Sequence, residues 1–268
     1  MPRAKDWTKE QAKLAFHLYC QLPFGKLHKS NPEVIRLARM IGRTPSAVAM
    51  KLVNFASLDP AITSTGRKGL EGASKQDREV WSEFHADWER LALECEMLRR
   101  SIDPEPESES DNADESAALA DFSGETRAAL VQQRIKQDFF RRAVLSSYGG
   151  RCCMSGVSEP RLLVASHIVP WSRDKANRLN PSNGLCLSAL HDRAFDKGLI
   201  ALSDDFKVIV SEELKRRAEP FVRAVLLPLD GLAIAFPDKF APSPVFVAWH
   251  RAELFLDSKP ALTAPAGS

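Results

Sequence analysis

The chain has 268 residues, 44% of them hydrophobic, and a formal net charge of +2, which is enough for one large domain or, as expected here, two modest ones with separate cores. A membrane span is excluded, because the most apolar late stretch, Ala224 to Phe236, is short and broken by Pro228, Asp230 and Gly231. The first residues lack the apolar core of a secretory signal, and five irregularly spaced cysteines suit reduced thiols, so a cytoplasmic protein is expected.

The chain opens in a helical pattern. From Thr8, an N-cap with Glu10 in the first turn, Ala12, Leu14, Ala15, Leu18 and Tyr19 recur at three and four, predicting a helix that ends near Gln21, before Pro23. Pro32 starts a second helix, Gly42 stops it, and Thr44-Pro45 supplies the cap and first position of a third, from Ser46 to Asn54. Two short helices around Gly-Arg-Thr make a helix-turn-helix candidate. Val48, Leu52 and Phe55 share one side of the second of these, while Ala47, Lys51 and Asn54 share another, with Arg43 just ahead. That basic face suits a major groove, and the same arrangement also builds any small helical bundle. A basic turn, Gly66-Arg-Lys-Gly69, follows, and Lys75 to Arg100 reads as one long helix with Val80, Trp81, Phe84, Trp88, Leu91 and Leu98 along its apolar side. The two tryptophans suit a core better than base stacking.

Composition then changes abruptly. Between Ser101 and Ser123 lie eight acids and no Lys or Arg; outside that stretch 37 Lys and Arg face 27 Asp and Glu, a net +10 able to meet phosphate. Like charge, Pro and Ser with almost no apolar residue predict a flexible linker. The expected organisation is an α-helical module over 1–100 for DNA or a partner, a linker over 101–124, a second domain over 125–257 and a disordered tail over 258–268.

The second domain begins with a helix from about Thr126 to Ser147, basic on one face and apolar on the other. A strand-like run, Arg161 to Val169, contains His167; a polar loop, Ser172 to Ser182, leads to a second short strand, Asn183 to Leu187. Ser188 caps a helix over Ala189 to Asp196, which Gly198 terminates. Phe206 to Leu256 reads as further strands and a helix that brace the site, with Trp249-His250-Arg251 either near a phosphate or on a plain surface helix. Cys152, Cys153 and Cys186 suggest zinc, but adjacent cysteines chelate one ion poorly and no C-x-x-C pair exists, so core packing is expected.

Ala165-Ser-His-Ile-Val-Pro-Trp, Asn183-Gly-Leu-Cys-Leu and Leu190-His-Asp-Arg-Ala-Phe-Asp-Lys-Gly together resemble the ββα-metal core of His-Asn-His (HNH) endonucleases, especially a bacterial restriction-like and anti-phage branch. The likeness covers roughly 134–256 in layout. It implies an α+β fold, a helical module followed by a ββα-metal nuclease domain. It also implies a metal-dependent DNA endonuclease that hydrolyses phosphodiesters with one divalent ion, Mg²⁺ foremost and Mn²⁺ next, in restriction or phage defence.

The chemistry agrees. Phosphodiester hydrolysis needs a base to make a nucleophile of water and a cation to hold the developing charge. His167, at a strand end, suits the base; His191, in the first turn of a helix, suits a metal ligand; Asn183 ties the intervening loop and orients His167. HNH sites often carry a metal-binding Asp or His just before the base, and here that position is Ser166. Asp192 is then the expected helper of His191 and Asp196 a structural residue, or the ion keeps waters and phosphate oxygens. Arg193 and Lys197 are expected to contact the DNA backbone, with Arg43 and Lys51 as candidates from the helical module. One such site cuts one strand, so a double-strand break asks for a homodimer or two binding events; no small-molecule cofactor is evident. The rival readings are a non-catalytic helix-turn-helix DNA-binding regulator, with Ser166 marking a decayed site, and a zinc-stabilised interaction module.

Overall fold

The computed structural model describes residues 6–64, 72–102, 124–217 and 219–258, with the backbone alone for 124–127. The basic turn at 66–69, the acidic stretch 103–123 and the tail from 259 lie outside the described residues.

Helix α1 (Lys9–Gln21) starts at a capping box: the Gln11 N–H donates to the Thr8 hydroxyl and the Thr8 N–H to the Gln11 side-chain oxygen. Its Ala12, Leu14, Ala15, Phe16, Leu18, Tyr19 and Cys20 are all buried, so α1 takes the centre of the structure. Helices α2 (Pro32–Met40) and α3 (Pro45–Ala56) start at proline, the second behind the Thr44 cap, as the sequence predicts, and Asn31 caps the first. After the one-turn α4 (Pro60–Thr63), the single helix expected from Lys75 to Arg100 is two, α5 (Lys75–Ala86) and α6 (Trp88–Ile102). Asp87 makes the break. It leaves helical geometry (φ −156°) and its carboxylate accepts the N–H of Arg90 at 2.9 Å, the local competition by which Asp favours caps over helix interiors. The bend lets Trp88, only 1% exposed, join Phe16, Phe84 and Phe139 in one aromatic cluster.

Helix α7 (Gly124–Ser147) packs on α1 and α6 and also on an antiparallel hairpin of β1 (Leu163–His167) and β2 (Gly184–Ser188). Helix α8 (Ala189–Asp196) follows directly, then a second hairpin of β3 (Ile200–Leu202) and β4 (Val208–Val210), short helices α9 (Glu212–Lys215) and α10 (Pro220–Val225), and α11 (Pro244–Glu253). The architecture is the expected α+β one: a helical N-terminal region and a second region of short strands and helices. No described helix is long and apolar enough to cross a membrane.

Separate cores were expected, and the two regions share one. Contacts far apart in sequence join them. Lys239 is fully buried, and its ammonium donates to the carbonyls of Tyr19 (2.5 Å), Cys20 (3.1 Å) and Leu22 (2.7 Å), the unsatisfied acceptors at the C-terminal end of α1. Asp59 accepts both the Phe240 N–H (3.1 Å) and the Tyr19 hydroxyl (3.2 Å), and the Ser146 hydroxyl donates to the Cys20 carbonyl (2.9 Å). Burial brings the Lys239 pKa down to about 8.

Candidate active site

The hairpin sets the site's geometry. In its register His167 lies opposite Gly184 and Ser166 opposite Leu185. A side chain at Gly184 would run into Val144 and Phe140 of α7, so glycine is what lets the helix approach the strand end that carries His167.

Phe140 uses that approach. Its ring lies flat on the His167 imidazole, centroids 3.8 Å apart and planes 9° apart, while Trp171 meets the imidazole edge-on at 5.6 Å. His167 Nε2 donates to the Arg178 carbonyl at 2.9 Å. A carbonyl can only accept, so Nε2 carries the proton of the neutral ring and Nδ1 is its basic nitrogen. Burial holds this imidazole below its ordinary 6.5, and the Arg178 bond opposes only in part.

Asn183 is fully buried at the start of β2. Its Oδ1 accepts the Val169 N–H (2.8 Å) and its Nδ2 donates to the carbonyls of Val169 (3.1 Å) and Asn177 (3.3 Å). The polar loop between the strands is further closed by the Asp174 carboxylate, which accepts the N–H groups of Ala176 and Asn177, and by Arg178, which lies over the Trp171 ring and donates to its carbonyl. Asn183 therefore joins both ends of the loop that presents the Arg178 carbonyl to His167.

Helix α8 begins as the sequence predicts: the Ser188 hydroxyl accepts the His191 N–H. His191 is buried, and its Nδ1 lies 3.3 Å from the Cys152 sulfur. Burial pushes this thiol up, but hydrogen bonds from His191, from the Ser155 hydroxyl and from the backbone N–H groups of Ser155 and Met154 outweigh it and bring the pKa down to about 6. Sequence reasoning assigned Cys152 to packing, and nothing local in the sequence marks its partner 39 residues away.

Asp192 is half-buried, and burial raises its carboxyl pKa, with Ser166 and Arg193 opposing. The buried Ser166 hydroxyl finds no partner at good hydrogen-bond geometry, although it approaches the Asp192 carboxylate closely enough to lower its pKa. Burial and Asp192 together raise Asp196. The fold thus brings Asp192 to Ser166, while His167, next along the strand, meets α7. No ring contact or hydrogen bond joins His167 to His191 among the described residues. Nor, among those residues, does any cluster of three or more His, Cys, Asp or Glu side chains stand ready to hold an ion. A partial donor set exists all the same: an imidazole whose Nε2 meets no hydrogen-bond partner among the described residues, a carboxylate destabilised by burial, and a buried hydroxyl beside it. Such a set fits a hard divalent cation that keeps water and takes phosphate oxygens.

Arg193 and Lys197 are exposed on α8. Two residues of the helical module are placed differently from expectation. Lys51 is buried, with its ammonium 2.6 Å from the Asp77 carboxylate and over the Trp7 ring. Arg43 is half-buried over the same ring and donates to the Gln11 side chain and to the Asp6 carbonyl. The face of α3 expected to be open is partly covered: Lys51 is buried against Asp77 of α5, and Ala47 and Asn54 are half-buried. His250 is also buried, stacked on Phe195 at 3.6 Å with Nε2 donating to the Phe195 carbonyl, and Arg251 is held by the Leu202 carbonyl and Asp204. His250 braces α8, while Arg251 ties the end of β3 to Asp204.

Comparison with known families matches residues 152–203 to the HNH endonuclease family, and no curated protein matches the chain. The matched stretch runs from Cys152, through the β1–β2 hairpin and α8, to the end of β3. Residues 152–203, which hold the hairpin and the helix that carry His167, Asn183 and His191, are therefore similar to an HNH endonuclease domain.

Proposed function

We propose that the chain is a metal-dependent DNA endonuclease in which His167 is the general base. The observation that carries this reading is the His167 Nε2 bond to the Arg178 carbonyl: it leaves Nδ1 as a basic nitrogen on a ring that burial keeps neutral. His167 would take a proton from water at Nδ1. Asn183 would act on no proton; its bonds to Val169 and Asn177 would hold the loop and so the ring. His191 and Asp192 would hold a divalent ion, Mg²⁺ foremost with Mn²⁺ as substitute. When bound, that ion supplies Lewis-acid stabilisation of the charge on phosphate. Arg193 and Lys197, exposed on the same helix, would meet the DNA backbone, which suits a chain whose positive charge lies outside its acidic stretch. One site cuts one strand, so a double-strand break would take a homodimer or two binding events. The restriction or phage-defence setting follows from the family resemblance alone. The rival regulator needs an open reading helix, and the burial of Lys51 weighs against it.

The test is supercoiled plasmid with Mg²⁺ or Mn²⁺, comparing wild type, His167→Ala and a chelator control. Nicking by the wild type alone, abolished by chelation, is expected. Tight binding by a wild type that leaves the plasmid uncut with every metal would replace the nuclease with the regulator.

A further inference from the structure

We propose that Cys152 is the positioning residue of His191: its sulfur accepts a hydrogen bond from Nδ1–H and so leaves Nε2 as the nitrogen that meets a divalent cation. The inference rests on the reading of His191 as a metal ligand.

Three observations converge on it. Cys152 Sγ and His191 Nδ1 are 3.3 Å apart, with both side chains buried, so water does not compete for either. The same sulfur also faces the Ser155 hydroxyl and the N–H groups of Met154 and Ser155. A sulfur ringed by donors acts as an acceptor, as anions do in a nest of successive backbone N–H groups. A neutral imidazole has one N–H to give, and once sulfur takes it at Nδ1 the lone pair stays on Nε2, where no hydrogen bond from the described residues competes. The backbone of His191 is fixed through the Ser188 cap, so what Cys152 adds is the ring's rotation and tautomer. Metal-bound histidines usually hand their second N–H to a carboxylate or carbonyl, and here a sulfur takes that place. Among the described residues, none of the other four buried cysteines meets an imidazole.

The experiment uses the full chain, ¹⁵N-labelled and metal-free, and reads the His191 tautomer from long-range ¹H–¹⁵N spectra, with His191→Gln to assign the signal. Wild type should show the Nδ1–H tautomer. Cys152→Ala should shift the population to Nε2–H and raise the Mn²⁺ concentration for half-maximal plasmid nicking roughly 10- to 100-fold. Cys152→Ser, which keeps an acceptor, should restore most of both, and Cys153→Ala, the neighbouring buried thiol, should change neither. An Nε2–H tautomer in wild type, or a tautomer and Mn²⁺ requirement unmoved by Cys152→Ala, would overturn the proposal. Because the tautomer is read without metal or DNA, a wild type with the expected tautomer that never nicks DNA would sink the nuclease reading alone.

Discussion

Phe140 covers one face of His167 at 3.8 Å, so a helix that otherwise packs against the N-terminal region reaches directly to the candidate base. Burial lowers the imidazole pKa, and a base of depressed pKa is neutral down to a lower pH. Nicking at saturating Mg²⁺ should therefore be level near neutrality and fall on acidification, with a midpoint below the ordinary 6.5. Phe140→Leu removes the flat cover while keeping an apolar side chain; it should lower the rate about tenfold at pH 7 and move the midpoint up toward 6.5. A pH–rate profile of the two proteins is the check, and coincident acid limbs would show that the stack does not tune the base.

Asn183→Asp keeps the shape and loses two donated bonds, to the carbonyls of Val169 and Asn177. A carboxylate accepts only, so the buried group would face two carbonyl oxygens. The expected result is a loss of about 2–4 kcal/mol in urea unfolding together with loss of nicking. Asn183→Ala should also lose nicking, since the loop presenting the Arg178 carbonyl is released.

Basic residues should separate into two classes. Arg193→Ala and Lys197→Ala should each weaken DNA binding uniformly across sequences and shrink the salt dependence of log K by about one unit, with little change in thermal stability. Lys51→Ala should do the reverse: it leaves the Asp77 carboxylate buried without its cation, costing about 3–5 kcal/mol with DNA affinity in the folded fraction unchanged. Fluorescence anisotropy across a salt series, paired with unfolding curves, distinguishes the two.

Acid stability should follow His17 and His250. Burial lowers each from 6.5 to about 4, so between these values the unfolded chain binds protons that the folded one does not. Their contribution is complete above pH 6.5 and is lost as pH falls toward about 4. At about 1.4 kcal/mol per unit this is on the order of 3 kcal/mol each. Replacing His17, which stacks on Phe139, with Gln should flatten that part of the stability curve, measured by urea unfolding from pH 4 to 7.

Local chemistry was legible in the sequence. The caps at Thr8, Thr44 and Ser188 and the stop after Asp196 depend on neighbours within a few residues, and each stands where it was expected. The three blocks around His167, Asn183 and His191 were legible for the same reason, since strand, loop and helix follow one another closely. What escaped was pairing at a distance. Phe140 looked like an ordinary apolar helix position, and its contact with His167 exists only after α7 crosses the hairpin. Lys51 looked exposed because its partner, Asp77, lies 26 residues on. Asp87 was misplaced differently: periodicity on both sides hid a local cap that bends the chain.

The end of α8 depends on residues that come much later. Gly198 has φ +67°, and a side chain there would strike the Leu254 carbonyl; its own carbonyl accepts the Leu256 N–H at 3.1 Å, while His250 holds the Phe195 carbonyl at 3.1 Å. On the ribosome, then, a chain that has already exposed His167, Asn183 and His191 still lacks the clasp on the helix bearing His191. The helix bearing His191 is therefore braced from outside residues 152–203, by contacts that residues 250–256 supply.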